Sequence, residues 1–264
     1  MNKKLAIIGC GNIGLSLLQG LLKDKNIIAG NITVTRRNID ELSHLKDSGV
    51  IVTSHNQGAV ADSDIIVIAV KPYNIAGILD EIKNHLNPDK HILVSVTAGV
   101  TIREIRDHVG VQLPVFRVMP NISASVGKSV SCICYNEAPG SEIDSVRRLF
   151  DSLGTTMIID EELMQSATIL GACGVAYVMR FIRAMIQGGI QIGFDAKTAS
   201  EIVNQTVKGA AELLIERQGH PESEIDKVTT PKGCTIVGLN EMEHNGFSSS
   251  LIKGIVASYD KIEK

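Results

Sequence analysis

The chain has 264 residues, of which 44% are hydrophobic and 21% are charged, enough to bury one large core or two modest ones. A formal net charge of -3 without a long lysine or arginine run argues against nucleic acid and acidic membranes as partners. The apolar segment near the start, residues 5–8, is far shorter than the roughly 7–15 residues of a secretory signal, so we expect a cytoplasmic protein.

Runs rich in isoleucine and valine alternate with helical patterns over the first 160 residues. Strands that are apolar throughout and separated by helices are typical of a largely parallel sheet covered on both faces. We therefore predict an α/β fold, with a Rossmann-like doubly wound sheet over residues 1–160. The predicted strands are 5–8, 32–35, 65–70, 91–95, 115–118, 129–135 and 155–159, and the helices between them include 13–23, 39–48, 75–85 and 141–153.

Residues 161–264 lack the strand pattern and are predicted to form an all-α dimerisation domain. The longest uncharged stretch, 164–179, contains polar residues and is shorter than the roughly 20 apolar residues that span a bilayer, so we expect a buried helix and no membrane span. With residues 188–193 it offers more apolar surface than a domain of about 100 residues can bury, which predicts a dimer. The predicted helices are 161–188, 196–218, 235–243 and 249–262.

The five cysteines form no CxxC pair, and Cys132 and Cys134 alternate on a predicted strand, so both lie on one face of it. This pattern predicts neither a metal site nor a disulfide framework, and core packing is the ordinary role of cysteine. Cys10 and Cys234 fall inside candidate ligand loops, where we expect that alkylation or oxidation can reach them.

The turn at residues 9–14 has the pattern GxGxxG, follows a predicted strand and opens a predicted helix, the setting in which this pattern binds dinucleotides. Its first glycine permits the tight turn, the second lets the backbone approach a pyrophosphate, and the third lets the helix lie close to the sheet. A glycine-rich turn that binds nothing is the alternative. The predicted coenzyme-binding residues here are Gly9, Gly11, Asn12, Ile13 and Gly14.

The segment after the second predicted strand bears on the choice of coenzyme. An NAD-binding protein usually carries Asp or Glu there, about 20 residues beyond the glycines, to bind the ribose 2′-hydroxyl. Here Thr35 is followed by Arg36 and Arg37, and residues 33–38 contain no acid. We predict that these three residues bind NADP and that NADPH is preferred over NADH, although two solvated surface arginines are the alternative.

Three further loops follow predicted strands, at residues 69–72, 95–99 and 117–121. Open α/β sheets bind ligands at the carboxyl ends of their strands, and each of these loops joins a small or turn residue to a polar one. Taken singly, Lys71 and Arg117 are also compatible with surface charges, and Asn121 with a turn former. The coenzyme-binding candidates in these loops are Ala69, Val70, Lys71, Pro72, Ala98 and Asn121.

A loop at residues 228–236 carries threonines and a glycine and leads into a predicted helix. Unpaired N–H groups and the helix dipole favour an anion at such a helix start, and the hydroxyl groups add directional donors. The loop therefore predicts a site for a small carboxylate, with an ordinary capped helix start as the alternative.

Together these motifs resemble the pyrroline-5-carboxylate reductase family over nearly the whole chain. The matching segments are the GxGNxG turn, Ala-Val-Lys-Pro at 69–72, Thr-Ala-Gly at 97–99, Arg-x-Met-Pro-Asn at 117–121 and residues 228–241. Two departures are Lys232, where the family has a second glycine, and Val175, where its long helix has a proline. The family's Val-Thr-Ser-Pro-Gly-Gly-Thr-Thr motif is the most specific match, shared at Val228, Thr229, Pro231, Gly233 and Thr235.

The resemblance implies hydride transfer from NADPH to C5 of 1-pyrroline-5-carboxylate, which gives L-proline in the last step of proline biosynthesis. It also implies that the N–H groups of Gly233, Cys234 and Thr235 hold the substrate carboxylate. The Thr235 hydroxyl then faces the ring nitrogen and is the catalytic candidate.

By the same resemblance, Lys71, Met119 and Asn121 line the nicotinamide side, where Lys71 and Met119 also belong to the substrate site. Asn56 meets the adenosine ribose and completes the coenzyme site. Members of the family pair their helical domains into intertwined dimers, often gathered into larger rings, with the substrate loop completed across the dimer.

Two alternatives stay open. A related NADP-dependent reductase acts on another imine or on a β-hydroxyacid, but a β-hydroxyacid enzyme normally carries a catalytic lysine on the first long helix of its second domain, and residues 161–179 contain no lysine. A non-catalytic NADP-binding regulatory protein is the other alternative, with Lys232 as a sign of a lost substrate site.

Overall fold

The computed structural model describes residues 3–262, apart from the side chain of Lys46. The chain divides into two compact units, Met1–Ala172 and Cys173–Lys264. The first unit is an α/β sheet domain and the second is built from helices, as predicted.

The sheet of the first unit has eight strands in the order β3-β2-β1-β4-β5-β6-β7-β8. The strands β1 to β6 are parallel, β7 is antiparallel to β6, and β8 is parallel to β7. The order reverses between β1 and β4, and such a reversal opens a crevice at the carboxyl ends of the strands. The strands are β1 Leu5–Ile8, β2 Ile32–Thr35, β3 Ile51–Thr53, β4 Ile65–Ile68, β5 Ile92–Ser95, β6 Val115–Met119, β7 Ser129–Asn136 and β8 Gly154–Ile158.

Helices cover both faces of the sheet, which explains why the inner strands β1 and β4 are apolar throughout. In β1, Leu5 and Ile7 pack into one hydrophobic cluster with residues of α1 and α5, while Ala6 and Ile8 pack into a second cluster with residues of α3 and α4. All four of these strand residues are buried. The helices are α1 Asn12–Leu21, α2 Asn56–Ala61, α3 Ile75–Ile82, α4 Ile102–Val109 and α5 Gly140–Asp151, and a 3₁₀ helix spans Ile39–Ser48.

The helix α4 begins with a reciprocal cap that holds the carboxylate of Glu104. The Thr101 hydroxyl accepts a hydrogen bond from the Glu104 backbone N–H at 3.1 Å, and Glu104 Oε2 accepts one from the Thr101 N–H at 2.7 Å. Because the backbone and the hydroxyl of Thr101 both donate to it, the pKa of Glu104 lies below its usual value.

Arg117 is buried in the sheet, so its interpretation as a surface charge is wrong. Its guanidinium donates to Glu161 Oε1 at 2.7 Å, and the same oxygen accepts a hydrogen bond from the Ile102 backbone N–H at 2.8 Å. Glu161 thereby joins β6 to the first turn of α4 at the point where the chain leaves the sheet. Removing Glu161 would leave the Arg117 guanidinium uncompensated in the interior.

The helical stretch that follows β8 begins with a 3₁₀ turn, Glu161–Leu163, and continues with α6, Met164–Ala167, and a π-helix, Thr168–Cys173. The expectation of a buried helix over 164–179 is wrong for a single chain, because only Met164, Thr168 and Ile169 are buried in it. Among the described residues, one stretch, Glu161–Gln191, has the length and apolar character to cross a membrane, with a mean hydropathy of 1.6 over an 18-residue window within it.

The second unit packs around a few close contacts between its helices. A Cβ at Gly189 would lie 3.2 Å from Ala199 Cβ, the rings of Phe181 and Phe247 are 6.1 Å apart, and the Tyr177 hydroxyl donates to Ser258 at 2.7 Å. The helices are α7 Gly174–Gln191, α8 Ala196–Arg217, α9 Pro221–Val228, α10 Cys234–His244 and α11 Phe247–Ile262.

A single copy of this second unit leaves its apolar surface uncovered. Of its described residues only Ala199 and Val203 are buried. An apolar surface of this extent in one chain indicates an interaction face. Exposed apolar side chains on it include Met179, Phe194, Ile202, Ile215, Leu251 and Val256.

Candidate active site

Six parallel strands end at one edge of the sheet, and the predicted coenzyme-binding residues follow them. Because the carboxyl ends of parallel strands meet at a common edge, the structure brings these residues to one side of the first unit. They are Gly9 and Gly11 to Gly14 after β1, Thr35 to Arg37 at the end of β2, Asn56 after β3, Ala69 to Pro72 after β4, Ala98 after β5 and Asn121 after β6, where the substrate candidate Met119 is the last residue of the strand.

The GxGxxG turn is held against β2 and β4, and two of its glycines have no room for a side chain. Gly9 has a φ of 90°, and a Cβ there would lie 2.4 Å from Val70 Cγ1. A Cβ at Gly14 would lie 2.8 Å from the Gly9 carbonyl oxygen. Thr35 is buried, and its hydroxyl and carbonyl oxygens accept hydrogen bonds from the N–H groups of Gly9 and Cys10. Thr35 therefore holds the turn, and its contact with NADP stays a prediction.

Gly11 differs from the other two glycines because the space beside it is open. Among the described residues, no heavy atom lies within 4 Å of the position that a Cβ would occupy. Gly11 is also the N-cap of α1, and no side chain in residues 3–262 caps that helix. Open space beside uncapped N–H groups at a helix start suits the pyrophosphate of a dinucleotide. The residues present therefore fit the predicted coenzyme.

Arg36 is held between the glycine-rich turn and an acidic side chain. Its Nη1 donates to the Cys10 carbonyl oxygen at 3.0 Å, and its Nη2 forms an ion pair with Glu41 from the 3₁₀ helix after β2. Arg37 is exposed. Sequence reasoning missed Glu41 because it considered only residues 33–38, and the acid lies five residues beyond Arg36.

The other coenzyme-binding candidates at this edge of the sheet differ in whether their side chains are exposed or make contacts within the protein. Lys71 is exposed before the 3₁₀ turn that begins at Pro72. Asn56 opens α2, and its amide donates to Glu81 Oε2 at 2.9 Å. Ala98 is half-buried beside a loop whose Thr97 hydroxyl donates to the Val70 carbonyl oxygen at 3.2 Å.

Met119 and Asn121 are buried at the end of β6. The Asn121 amide nitrogen donates to the Gly171 carbonyl oxygen at 2.9 Å, and its amide oxygen accepts from the Ser123 N–H at 2.9 Å. Both ends of this side chain are thus used within the first unit, where Gly171 belongs to the π-helix. A direct role of Met119 and Asn121 in binding stays a prediction.

The candidate substrate loop lies in the second unit and turns tightly just before α10. The Gly233 N–H donates to the Thr230 carbonyl oxygen at 2.9 Å, and Lys232, at the third position of this turn, has a φ of 59°. That position of such a turn normally takes glycine, as the family's does. A Cβ at Gly233 would lie 2.5 Å from Thr230 Oγ1, so glycine is required next to it.

Gly233 is also the N-cap of α10, which begins at Cys234, one residue before the predicted start. No side chain of the described residues caps this helix, and Cys234 and Thr235 are exposed in its first turn. The loop therefore presents uncapped N–H groups and a hydroxyl, which is the donor set that a carboxylate requires.

The cysteines are free thiols, and three of them are buried in the sheet domain. Cys132 and Cys134 share one core cluster, as their alternation on a strand predicts. The expectation that reagents reach Cys10 is wrong, since it is buried, and this burial raises the pKa of its thiol to about 11. Cys234 is exposed. Within residues 3–262 no group of three or more His, Cys, Asp or Glu is placed to hold a metal ion.

Comparison with known proteins gives two matching families. The family described as pyrroline-5-carboxylate reductase dimerisation matches residues 161–264, and the family described as NADP oxidoreductase coenzyme F420-dependent matches residues 4–99. The two matches correspond to the helical region and to the first half of the sheet domain, respectively.

Two curated relatives come from Dictyostelium discoideum. Pyrroline-5-carboxylate reductase 1 is 42% identical over 97% of this chain, and the match spans about half, 49%, of that relative. Pyrroline-5-carboxylate reductase 2 is 40% identical over 100% of this chain and 93% of the relative.

A solved structure of Plasmodium falciparum pyrroline carboxylate reductase with NADP bound is 29% identical, with a TM-score of 0.90 over 99% of this chain and 97% of that one. This agreement confirms the predicted fold class at the level of the whole chain. On the sequence relationship and the fold together, the chain belongs to the pyrroline-5-carboxylate reductase family.

Proposed function

We propose that this chain reduces 1-pyrroline-5-carboxylate to L-proline with NADPH, the last step of proline biosynthesis. The observation that carries the proposal is that both family motifs lie at uncapped helix starts, at Gly11 before α1 and at Gly233 before α10. Each provides backbone N–H groups for an anion, as a pyrophosphate and a carboxylate require. The names of the relatives agree with this activity.

NADP is the coenzyme that the residues at the sheet edge support. The uncapped start of α1 beside Gly11 suits the pyrophosphate, and Arg36 and Arg37 suit the 2′-phosphate. We propose the other candidates at this edge, from Asn56 to Asn121, as the remainder of the coenzyme site. When bound, the reduced coenzyme supplies the hydride.

On the substrate side we propose that the N–H groups of Cys234 and Thr235 hold the carboxylate, whereas the third predicted donor, the Gly233 N–H, is already bonded to the Thr230 carbonyl oxygen at 2.9 Å. The Thr235 hydroxyl, exposed in the first turn of α10, forms a hydrogen bond to the ring nitrogen and so orients C5. A protonated ring imine is already an electrophile, so these residues contribute mainly by positioning it rather than by proton transfer. Lys71 and Met119 are proposed to complete the substrate site.

The chain self-associates through its helical region, and its substrate is a small molecule. We propose a dimer, or a larger ring of dimers, in which a second copy rather than a membrane covers the apolar stretch Glu161–Gln191. The match to the dimerisation family supports a functional division into residues 1–160 and 161–264. A cytoplasmic location and the absence of a nucleic-acid partner remain predictions.

The decisive experiment follows NADPH oxidation by the purified protein with 1-pyrroline-5-carboxylate and measures L-proline as the product. Turnover only with another imine or with a β-hydroxyacid would identify a related reductase instead. Coenzyme binding without turnover of any of these substrates would identify a non-catalytic NADP-binding protein. Sedimentation velocity in the same buffer tests the assembly, and an active monomer would contradict the dimer.

A further inference from the structure

Glu41 lies in contact with the arginine that the coenzyme requires. In the structure the Arg36 guanidinium is shared between the Cys10 carbonyl oxygen, at 3.0 Å, and the Glu41 carboxylate. The first contact anchors the guanidinium to the glycine-rich turn, at the end of β2 where a dinucleotide places its adenosine ribose. The second brings a negative charge to the same place.

A 2′-phosphate and the Glu41 carboxylate need the same donors. Both are oxygen anions, and the guanidinium Nη2, which is not bonded to the Cys10 carbonyl, pairs with Glu41 in the structure. A phosphate of charge about -2 that reaches Arg36 also experiences repulsion from Glu41 unless that side chain moves away. A ribose 2′-hydroxyl, by contrast, can donate a hydrogen bond to a carboxylate.

We propose that Glu41 is a coenzyme-specificity residue. Given the proposed NADP binding, Glu41 competes with the 2′-phosphate of NADP for Arg36, and it accepts a hydrogen bond from the 2′-hydroxyl of NAD. The ion pair between Arg36 and Glu41 thus weakens the preference for NADP over NAD that two adjacent arginines would otherwise produce. The Glu41 and Arg36 side chains are half and about one-third exposed, at 50% and 31%, so either can turn toward solvent when a ligand arrives.

Replacing the Glu41 carboxylate with an amide of the same shape tests the effect of its charge alone. We expect Glu41→Gln to raise the ratio of NADP⁺ affinity to NAD⁺ affinity by about tenfold, since it removes both an exposed ion pair and a repulsion of similar size. The matched control is Asp40→Asn, which removes the same charge from the neighbouring exposed residue, in the first turn of the same 3₁₀ helix.

Binding is measured by calorimetric titration of the apoprotein with NADP⁺ and NAD⁺, and with adenosine 2′,5′-bisphosphate against adenosine 5′-monophosphate to isolate the 2′-phosphate. Thermal unfolding of each variant checks that the fold is retained. The effect should be smaller in an Arg36→Gln background, because the competition for the guanidinium is then absent while the contact to the 2′-hydroxyl remains, and the double-mutant cycle measures this pairwise part.

The outcomes distinguish this inference from the proposed function. If the unmodified protein binds neither dinucleotide, the proposed coenzyme itself is wrong. If it binds them and Glu41→Gln changes their affinity ratio no more than Asp40→Asn does, Glu41 has no part in specificity. An effect of Glu41→Gln that is equally large in the Arg36→Gln background would also overturn the inference, because the ion pair would then contribute nothing to specificity.

Discussion

The change Gly11→Ala separates the binding role of the glycine-rich turn from its structural role. The backbone at Gly11 has φ and ψ of -85° and -156°, which alanine can adopt, and the added methyl group meets no heavy atom of the described residues within 4 Å. Alanine is a poorer N-cap than glycine, by about 0.5–1 kcal/mol, but it also restricts the unfolded chain by about 0.4–1 kcal/mol. The free energy of unfolding should therefore change by less than about 1 kcal/mol.

Coenzyme binding should respond much more strongly than stability. The open space beside Gly11 is where a pyrophosphate would approach the backbone, and a methyl group forced into a close contact typically costs about 1–3 kcal/mol. A middle value of about 2 kcal/mol corresponds to a Kd for NADP⁺ roughly 30-fold higher. Calorimetric titration measures this Kd, and thermal unfolding without ligand measures stability.

Two alanine substitutions at other glycines serve as controls. Gly14→Ala should lose stability as well as binding, because its Cβ would lie 2.8 Å from the Gly9 carbonyl oxygen. Gly77→Ala, on α3 with open space around it, should leave binding unchanged and raise stability by about 0.5–1 kcal/mol. An unchanged Kd for NADP⁺ in Gly11→Ala would refute the assignment of this turn as the phosphate site.

Three further changes test other parts of the molecule. Thr235→Val should lower kcat/KM for 1-pyrroline-5-carboxylate about tenfold while the Kd for NADPH stays the same, and unaltered steady-state kinetics would show that the hydroxyl is only part of a helix start. Thr101→Ala should cost about 1 kcal/mol of stability near neutral pH, measured by urea unfolding. The pKa of Glu104 is lowered below its usual 4.5. The stabilisation from its carboxylate is therefore present above pH 4.5 and is lost as the pH falls through the pKa that Glu104 has in the folded protein. The stability difference between Thr101→Ala and the unmodified protein should therefore shrink in acid. Brief treatment with iodoacetamide should modify the exposed Cys234 and spare Cys10, whose pKa is about 11, and modification of native Cys10 in a peptide mass map would contradict its burial.

The inner strands of the sheet were predictable because they are buried on both faces. The β1 bounds match the predicted range, since an uninterrupted apolar run between helical patterns has no other low-energy placement in a soluble domain. The β2 bounds match as well, although this strand alternates apolar residues with threonines. The edge strand β3, Ile51–Thr53, was missed because it is short and partly exposed, so burial imposes little pattern on it. The helix α4 was also missed, although its Thr101 and Glu104 carry the spacing of a capping box.

The candidate site was predictable where a backbone geometry demands particular residues. Gly9 and Gly14 have no room for a Cβ, and Gly233 is pressed against Thr230, so the motifs that include them are visible in the sequence alone. These constraints are local, because they arise within a turn or between a turn and the strand beside it.

Contacts between segments that are distant or differently folded were decided only by the tertiary structure. The sequence left Arg36 and Arg117 open to interpretation as surface charges. In the structure both are fixed by ion pairs, Arg36 with Glu41 and Arg117 with Glu161, which lies 44 residues away in the chain. The burial of Cys10 and the uncovered face of the helical unit have the same origin. Residue type and spacing determine which groups a segment offers, whereas a side chain's charge environment and exposure depend on what the rest of the fold packs against it.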